Sequence, residues 1–324
     1  MVSQLYVILG LFFYATLASC CRKGRSWEGN LFFHDDFDGF DVKRDHWTYE
    51  EFCHGKDIDQ KWQYICDEDN INHILFCSFL KKQTGKGQGD TNLECFSDSD
   101  ENVRVWNGTL ILTTLYKPLS EKRLFSRQKN FTSARLTTTG RGFTYGTFVV
   151  SARLPKGKSL FPSIWLVPAY KDHDNCKYEE IEIVQGRGEK TSNLIFSASF
   201  GKHWNSVVTK RVEKAFPGID FSESFHEVAF SWKPKRMEWY VDGISVFTAS
   251  THFYSDWILS DETNVPCSRD KSLFKQPFQL TMSMSVGGAA ELLHSQDTPL
   301  TPDEAMRWEK PIFEIDWVKV YQQV

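Results

Sequence analysis

Apolar and polar residues alternate with a period of two along most of the chain from Asn102 onward. In a strand, residues i and i+2 share a face, so each alternating run predicts a strand with one buried side. Val103-Arg-Val-Trp106 and Thr109-Leu-Ile-Leu112 flank Asn107-Gly108, a dipeptide that favours the tight two-residue hairpin. FTSARLTTT, FTYGTFVVSARLP, SIWLVPA, YEEIEIVQ, NLIFSASFG, FHEVAFSWKP, RMEWYVDGISVFTA, FQLTMSMSV and FEIDWVKVYQ read as further strands. Gly, Pro, Asn and Asp fall between them. Within them Val228, Phe230 and Trp232 alternate with Ala229 and Ser231, and Asp242-Gly243 predicts a second hairpin. Only EAMRWEK, around Glu304, reads as helix. Many short strands joined by turns predict an all-β sandwich or barrel. There is no internal repeat and no Pro- or Ser-rich linker, so one domain is expected.

The first stretch breaks the pattern. Leu5 to Ala18 is apolar and ends in small residues, which predicts a signal peptide over residues 1–19, although no Lys or Arg precedes it. Leu17-Ala-Ser-Cys20 also resembles a bacterial lipoprotein cleavage box. No later run is long enough to cross a bilayer, so no membrane partner is expected and the protein is read as secreted. Eight cysteines suit that route and predict disulfides; no CxxC pair suggests zinc. Cys53, Cys66, Cys77 and Cys95 crowd together, and Cys176 and Cys267 are further candidates. The stretch from 66 to 99 loses periodicity and reads as a Cys-rich insertion. Asn107 and Asn130 begin glycosylation sequons. Aromatic residues make up 15% of the chain, as suits strands. A net charge of −4 and the absence of a nucleic-acid motif exclude RNA and DNA as expected partners.

The candidate chemistry lies in YEEIEIVQGRG, Tyr178 to Gly188. Glu180 and Glu182 share one face, while Glu179, Ile181 and Ile183 share the other. Strict alternation would send Gln185 to the core face. A one-residue bulge at Ile183-Val184 would return it to the side of the two carboxylates, and bulges often re-aim side chains beside active sites. Taken alone, a lone E-x-E is an ordinary solvated strand face.

YEEIEIVQGRG resembles the signature of glycoside hydrolase family 16, whose β-1,3-glucanases read roughly E-I-D-I-V-E. HDDFDGFD, ENVRVWNGTLILTT, FTYGTFVVSARLPKGKSLFPSIWLVPA, FHEVAFSWKPKRMEWYVDG, MSMSVGG and FEIDWVKVY are similar to other blocks of that family, in order. The resemblance covers roughly residues 30 to 324, apart from the insertion. A family domain over 27–324 is therefore expected, with a β-jelly-roll fold whose concave sheet holds a glucan. It also implies retaining hydrolysis by two carboxylates about 5–5.5 Å apart. By position, Glu180 matches the nucleophile, Glu182 the helper aspartate and Gln185 the acid/base. Glutamine has no proton to give. Glu189, in the loop beyond, is a candidate rescue acid. Asn102, Arg104, Phe161, Trp165, Phe200, His203 and Trp204 are carried over or proposed as sugar contacts; Phe161 and Phe200 replace residues the family uses for stacking. Asp316 matches a structural calcium ligand, or is an ordinary strand aspartate; no other cofactor is implied. The resemblance points to the β-1,3-glucan recognition and Gram-negative-bacteria-binding branch, which implies a microbial β-1,3-glucan ligand and a protease-cascade partner in innate immunity. The alternative is an endo-β-1,3-glucanase hydrolysing O-glycosyl bonds with a non-standard acid/base.

Overall fold

The computed structural model describes residues 25–53, 92–117, 130–170, 178–203, 206–251, 273–287 and 300–323. The predicted signal peptide, Cys66, Cys77, Cys176, Cys267, Trp204 and residues 66–91 of the predicted insertion lie outside the described residues, as do the side chains of Cys53 and His203.

The alternating runs become two antiparallel sheets packed face to face. The first is ordered β17 (Ile244–Ser250), β16 (Arg236–Val241), β15 (His226–Lys233), β10 (Gly146–Arg153), β19 (Ile312–Gln322), β6 (Thr109–Thr113) and β5 (Val103–Trp106), with β1 (Asn30–Asp35) also on β19. The second is ordered β14 (Ser206–Ala215), β13 (Asn193–His203), β12 (Tyr178–Gly186), β11 (Leu160–Pro168), β18 (Phe278–Val286), β9 (Arg135–Thr138) and β2 (Trp47–Tyr49). A small third sheet joins β3 (Phe52–Cys53), β4 (Glu94–Phe96), β8 (Phe131–Ser133) and β7 (Leu115–Tyr116). The one helix among the described residues, α1 (Pro302–Met306), is closed by a capping box between Thr301 and Glu304.

Both predicted hairpins form. Asn107 and Gly108 have φ of 51° and 72°, and Asp242 and Gly243 have 48° and 75°, as a turn with two left-handed positions requires. Cys53 stands opposite Cys95 across β3 and β4, and Cys95 is disulfide-bonded.

The core fills the space between the two large sheets. Phe148, Phe230, Trp232 and Trp239 come from the first; Ile164, Ile181, Phe196, Leu280 and Met282 come from the second. The N-terminal strand is tied down by one buried charge. Asp35, fully buried, accepts hydrogen bonds from Trp47 Nε1 at 2.9 Å, His46 Nδ1 at 3.0 Å, Lys43 Nζ at 3.1 Å and the Phe37 N–H at 3.1 Å. Burial pushes its pKa up, but these four donors outweigh that and hold it below the usual aspartate value.

Candidate functional site

The outer face of the second sheet is built in rows by its register. One row runs Thr48, Thr137, Thr281, Trp165, Glu182, Ser197 and Arg211. The next runs Arg135, Ser283, Ser163, Gln185, Ile195 and Glu213. Glu180 follows on the other side of Glu182, opposite Ser199 and then Thr209. This face is recessed, since Thr281, Ser283, Ser163 and Ser197 are buried although none belongs to the core cluster.

Gln185 reaches this face through a bulge. On β13 the pairing passes from Glu182↔Ser197 directly to Gln185↔Ile195, so Ile183 and Val184 together face Phe196. On β11 it passes from Trp165↔Glu182 to Ile164↔Val184. Ile183 and Val184 are both buried in the core, and Glu180, Glu182 and Gln185 all point outward. From across the core Trp239 donates Nε1 to the Glu182 carbonyl at 2.8 Å. The indole thus holds the bulge from behind. Trp239→Phe is expected to cost about 1–3 kcal/mol, the penalty of leaving that carbonyl unsatisfied, and to broaden the amide signals of Glu182 to Gln185 in NMR spectra.

The three polar side chains are held differently. The Tyr178 hydroxyl donates to Glu180 Oε2. Gln185 Nε2 donates to Ser163 Oγ at 3.3 Å. Glu182 is buried beside Glu180, carboxyl against carboxyl. Burial raises the Glu180 pKa, offset in part by the Tyr178 donor and the Arg135 charge. Burial, and next the charge of Glu180, push Glu182 well above the usual carboxylate value, against Arg211 and Arg135. Both carboxyls are therefore pushed toward the neutral form, Glu182 further than Glu180.

The raised Glu182 pKa has a stability consequence. A carboxyl whose folded pKa is raised contributes fully below its unfolded value of 4.5 and loses that contribution as pH climbs toward the folded value. Glu182→Gln, neutral throughout, is expected to remove this alkaline decline. Melting temperatures of both proteins from about pH 5 to about pH 9 would show it, the wild type falling relative to the variant as pH rises.

Trp165 lies on the site face outside the core cluster, with the Arg135 guanidinium 4.9 Å over its ring. Arg135 pairs with Glu50 at 3.0 Å, and Thr137 donates to the same Glu50. Phe161 shares the face of Ser163 and Trp165 but is buried, 2% exposed.

Several expected sugar contacts are corrected. Phe200 is fully buried in the core, edge-on to Phe274 at 6.4 Å; strand parity puts Ser199, not Phe200, beside Glu180. Arg104 lies in the first sheet between core residues Val103 and Val105 and points away from the core, its guanidinium 3.5 Å from the Asp100 carbonyl. Asn102 is buried, its amide donating to the Thr113 carbonyl and the Thr132 hydroxyl. Glu179 faces the opposite side, accepting from the Phe274 N–H and Gln276 Nε2. Glu189 is no stand-in acid: it pairs with buried Arg187 at 2.8 Å and accepts the Ser159 N–H. Asp316 accepts from Ser151 Oγ at 3.2 Å, and among the described residues no group of three His, Cys, Asp or Glu side chains is placed to bind a metal.

Tyr178 and Arg135 were not among the sequence candidates. Tyr178 was findable, one strand period before Glu180. Arg135 was not, since it depends on the register of four strands.

Residues 91–257 match the sequence profile described as Glycosyl hydrolases family 16. A glucan endo-1,3-beta-glucosidase of Cryptopygus antarcticus is 28% identical over 236 residues, 72% of this chain and 82% of that protein. A beta-1,3-glucan-binding protein of Penaeus monodon is 28% identical over 171 residues, 48% of this chain and 47% of that protein. The laminarinase catalytic domain of Thermotoga maritima superposes with a TM-score of 0.63 at 25% identity, covering 93% of this chain and all of that one.

Proposed function

Since the chain belongs to glycosyl hydrolase family 16, we propose that it is a secreted protein that captures β-1,3-glucan on the outer face of the second sheet without hydrolysing it. Gln185 supports this reading above all. It stands on the face of Glu180 and Glu182 where the resemblance requires an acid/base, and its amide donates to Ser163. An amide cannot protonate a departing sugar oxygen or take a proton from water. General acid–base help is worth about 10²–10⁴-fold, and a glucosidic leaving group needs it. Glu180, the nucleophile by position, has its pKa raised and is bridged to Tyr178. The serines, threonines and carboxyls of the recessed rows are suited to sugar hydroxyls, and the Arg135 guanidinium over the buried Trp165 ring supplies a flat surface for a sugar. The apolar leader and the cysteine content support secretion.

The test pairs two assays on one preparation: reducing-end release from laminarin, and depletion from solution by insoluble β-1,3-glucan. Depletion without reducing ends is expected. Turnover at ordinary enzyme rates would overturn the binding reading in favour of an endo-β-1,3-glucanase, and failure to bind would remove both. Trp165→Ala is expected to weaken capture about tenfold, about 1.4 kcal/mol, through loss of both the ring and the arginine it carries. A binding isotherm on the same glucan checks it.

A further inference from the structure

A second constellation lies on the other sheet, away from Glu180. His226 opens β15, and Asp242 sits at the turn between β16 and β17. His226 Nδ1 is 2.8 Å from Asp242 Oδ2, and His226 Nε2 is 3.0 Å from Ser224 Oγ. With the carboxylate accepting from Nδ1–H, Nε2 is left to accept from the serine hydroxyl. The remaining aspartate oxygen is fixed by the Glu227 N–H at 3.0 Å, and the Asp242 N–H returns to the Glu227 carbonyl at 2.8 Å. Phe221 packs edge-on against the imidazole, ring centroids 4.7 Å apart. The ring is thus set by three neighbours, and the serine at its far nitrogen is exposed.

We propose that Ser224, His226 and Asp242 form a serine esterase site, distinct from the glucan face, that acts on small O-acyl esters. The connectivity is that of nucleophile, base and orienting carboxylate, which is recognised by geometry and not by fold. Ser224 Oγ attacks the ester carbonyl carbon while its proton passes to His226 Nε2. The bond from carbonyl carbon to alkoxy oxygen breaks, and the alcohol leaves with that proton. Water, deprotonated by Nε2, then attacks the acyl-serine, releasing the carboxylic acid and restoring Ser224.

A fluorophosphonate probe with intact-mass analysis tests the nucleophile, and p-nitrophenyl acetate tests turnover. One adduct is expected on the wild type, mapped to Ser224, and none on Ser224→Ala. Ester hydrolysis is expected to fall about 10²-fold in Ser224→Ala and in His226→Gln. Ser224→Ala alters one exposed side chain, so its capture by insoluble β-1,3-glucan should match the wild type. Absence of an adduct on the wild type, or equal esterase rates in wild type and Ser224→Ala, would overturn the assignment.

Discussion

The double variant Glu182→Asp/Gln185→Glu is expected to hydrolyse laminarin about 10²–10⁴-fold faster than the wild type, the range general acid–base catalysis supplies. Gln185→Glu returns a titratable oxygen to the position the bulge aims at the site face. Alone it is expected to stay within about tenfold of the wild type, because it adds a third carboxyl to a recess where burial already raises the pKa of two. Glu182→Asp withdraws one methylene and separates the helper from Glu180. Glu180 keeps the Tyr178 donor and the Arg135 charge, which favour its ionised form. Reducing-end assays on the two single variants and the double variant read the coupling directly. Additive small gains, with no excess in the double, would show that the recess and not the acid limits turnover.

Asp35→Ala is expected to destabilise the fold by about 3–5 kcal/mol, as breaking a buried ion pair from one side does. The loss has identifiable parts. Trp47 Nε1 is left buried without an acceptor, the Phe37 N–H loses its own, and Lys43 and His46 each lose a partner, Lys43 keeping Asp38. Asp35→Asn preserves the shape and should cost less, about 1–3 kcal/mol. The pH dependence separates them further. The folded pKa of Asp35 is depressed, so its contribution is present above the unfolded value of 3.8 and fades as pH falls through the folded one. Both variants should therefore differ from the wild type more at neutral pH than in acid. Guanidinium midpoints with unchanged slopes would confirm that stability, not compactness, has moved.

Much of the architecture was legible because strand period, hairpin dipeptides and aromatic content all reported the same thing. The bulge at Ile183-Val184 was also legible, since only an extra residue brings Gln185 to the side of Glu180 while leaving Ile183 and Val184 to the core. What failed were assignments that need the third dimension. Ser199 and Phe200 are neighbours in sequence, and only the pairing with Glu180 decides which of them faces the site. Arg104 was carried over by motif, yet its strand belongs to the opposite sheet. Glu189 looked free in a loop until buried Arg187 claimed it. Asp35 carried no signal at all beyond its place in HDDFDGFD, because its four donors, from Phe37 to Trp47, converge only once the segment after β1 folds back.

The indole bond from Trp239 to the Glu182 carbonyl joins the recess to the opposite layer through the core between the sheets. Local opening of β12 at the bulge must therefore break the contact between layers as well as a ladder. The backbone amides there should exchange with solvent only at the rate of whole-molecule unfolding. On the proposed reading, a surface so constrained would act as a rigid template: it would select, from the shapes a flexible polysaccharide samples, the one that already matches its rows, and gain its affinity by not having to move.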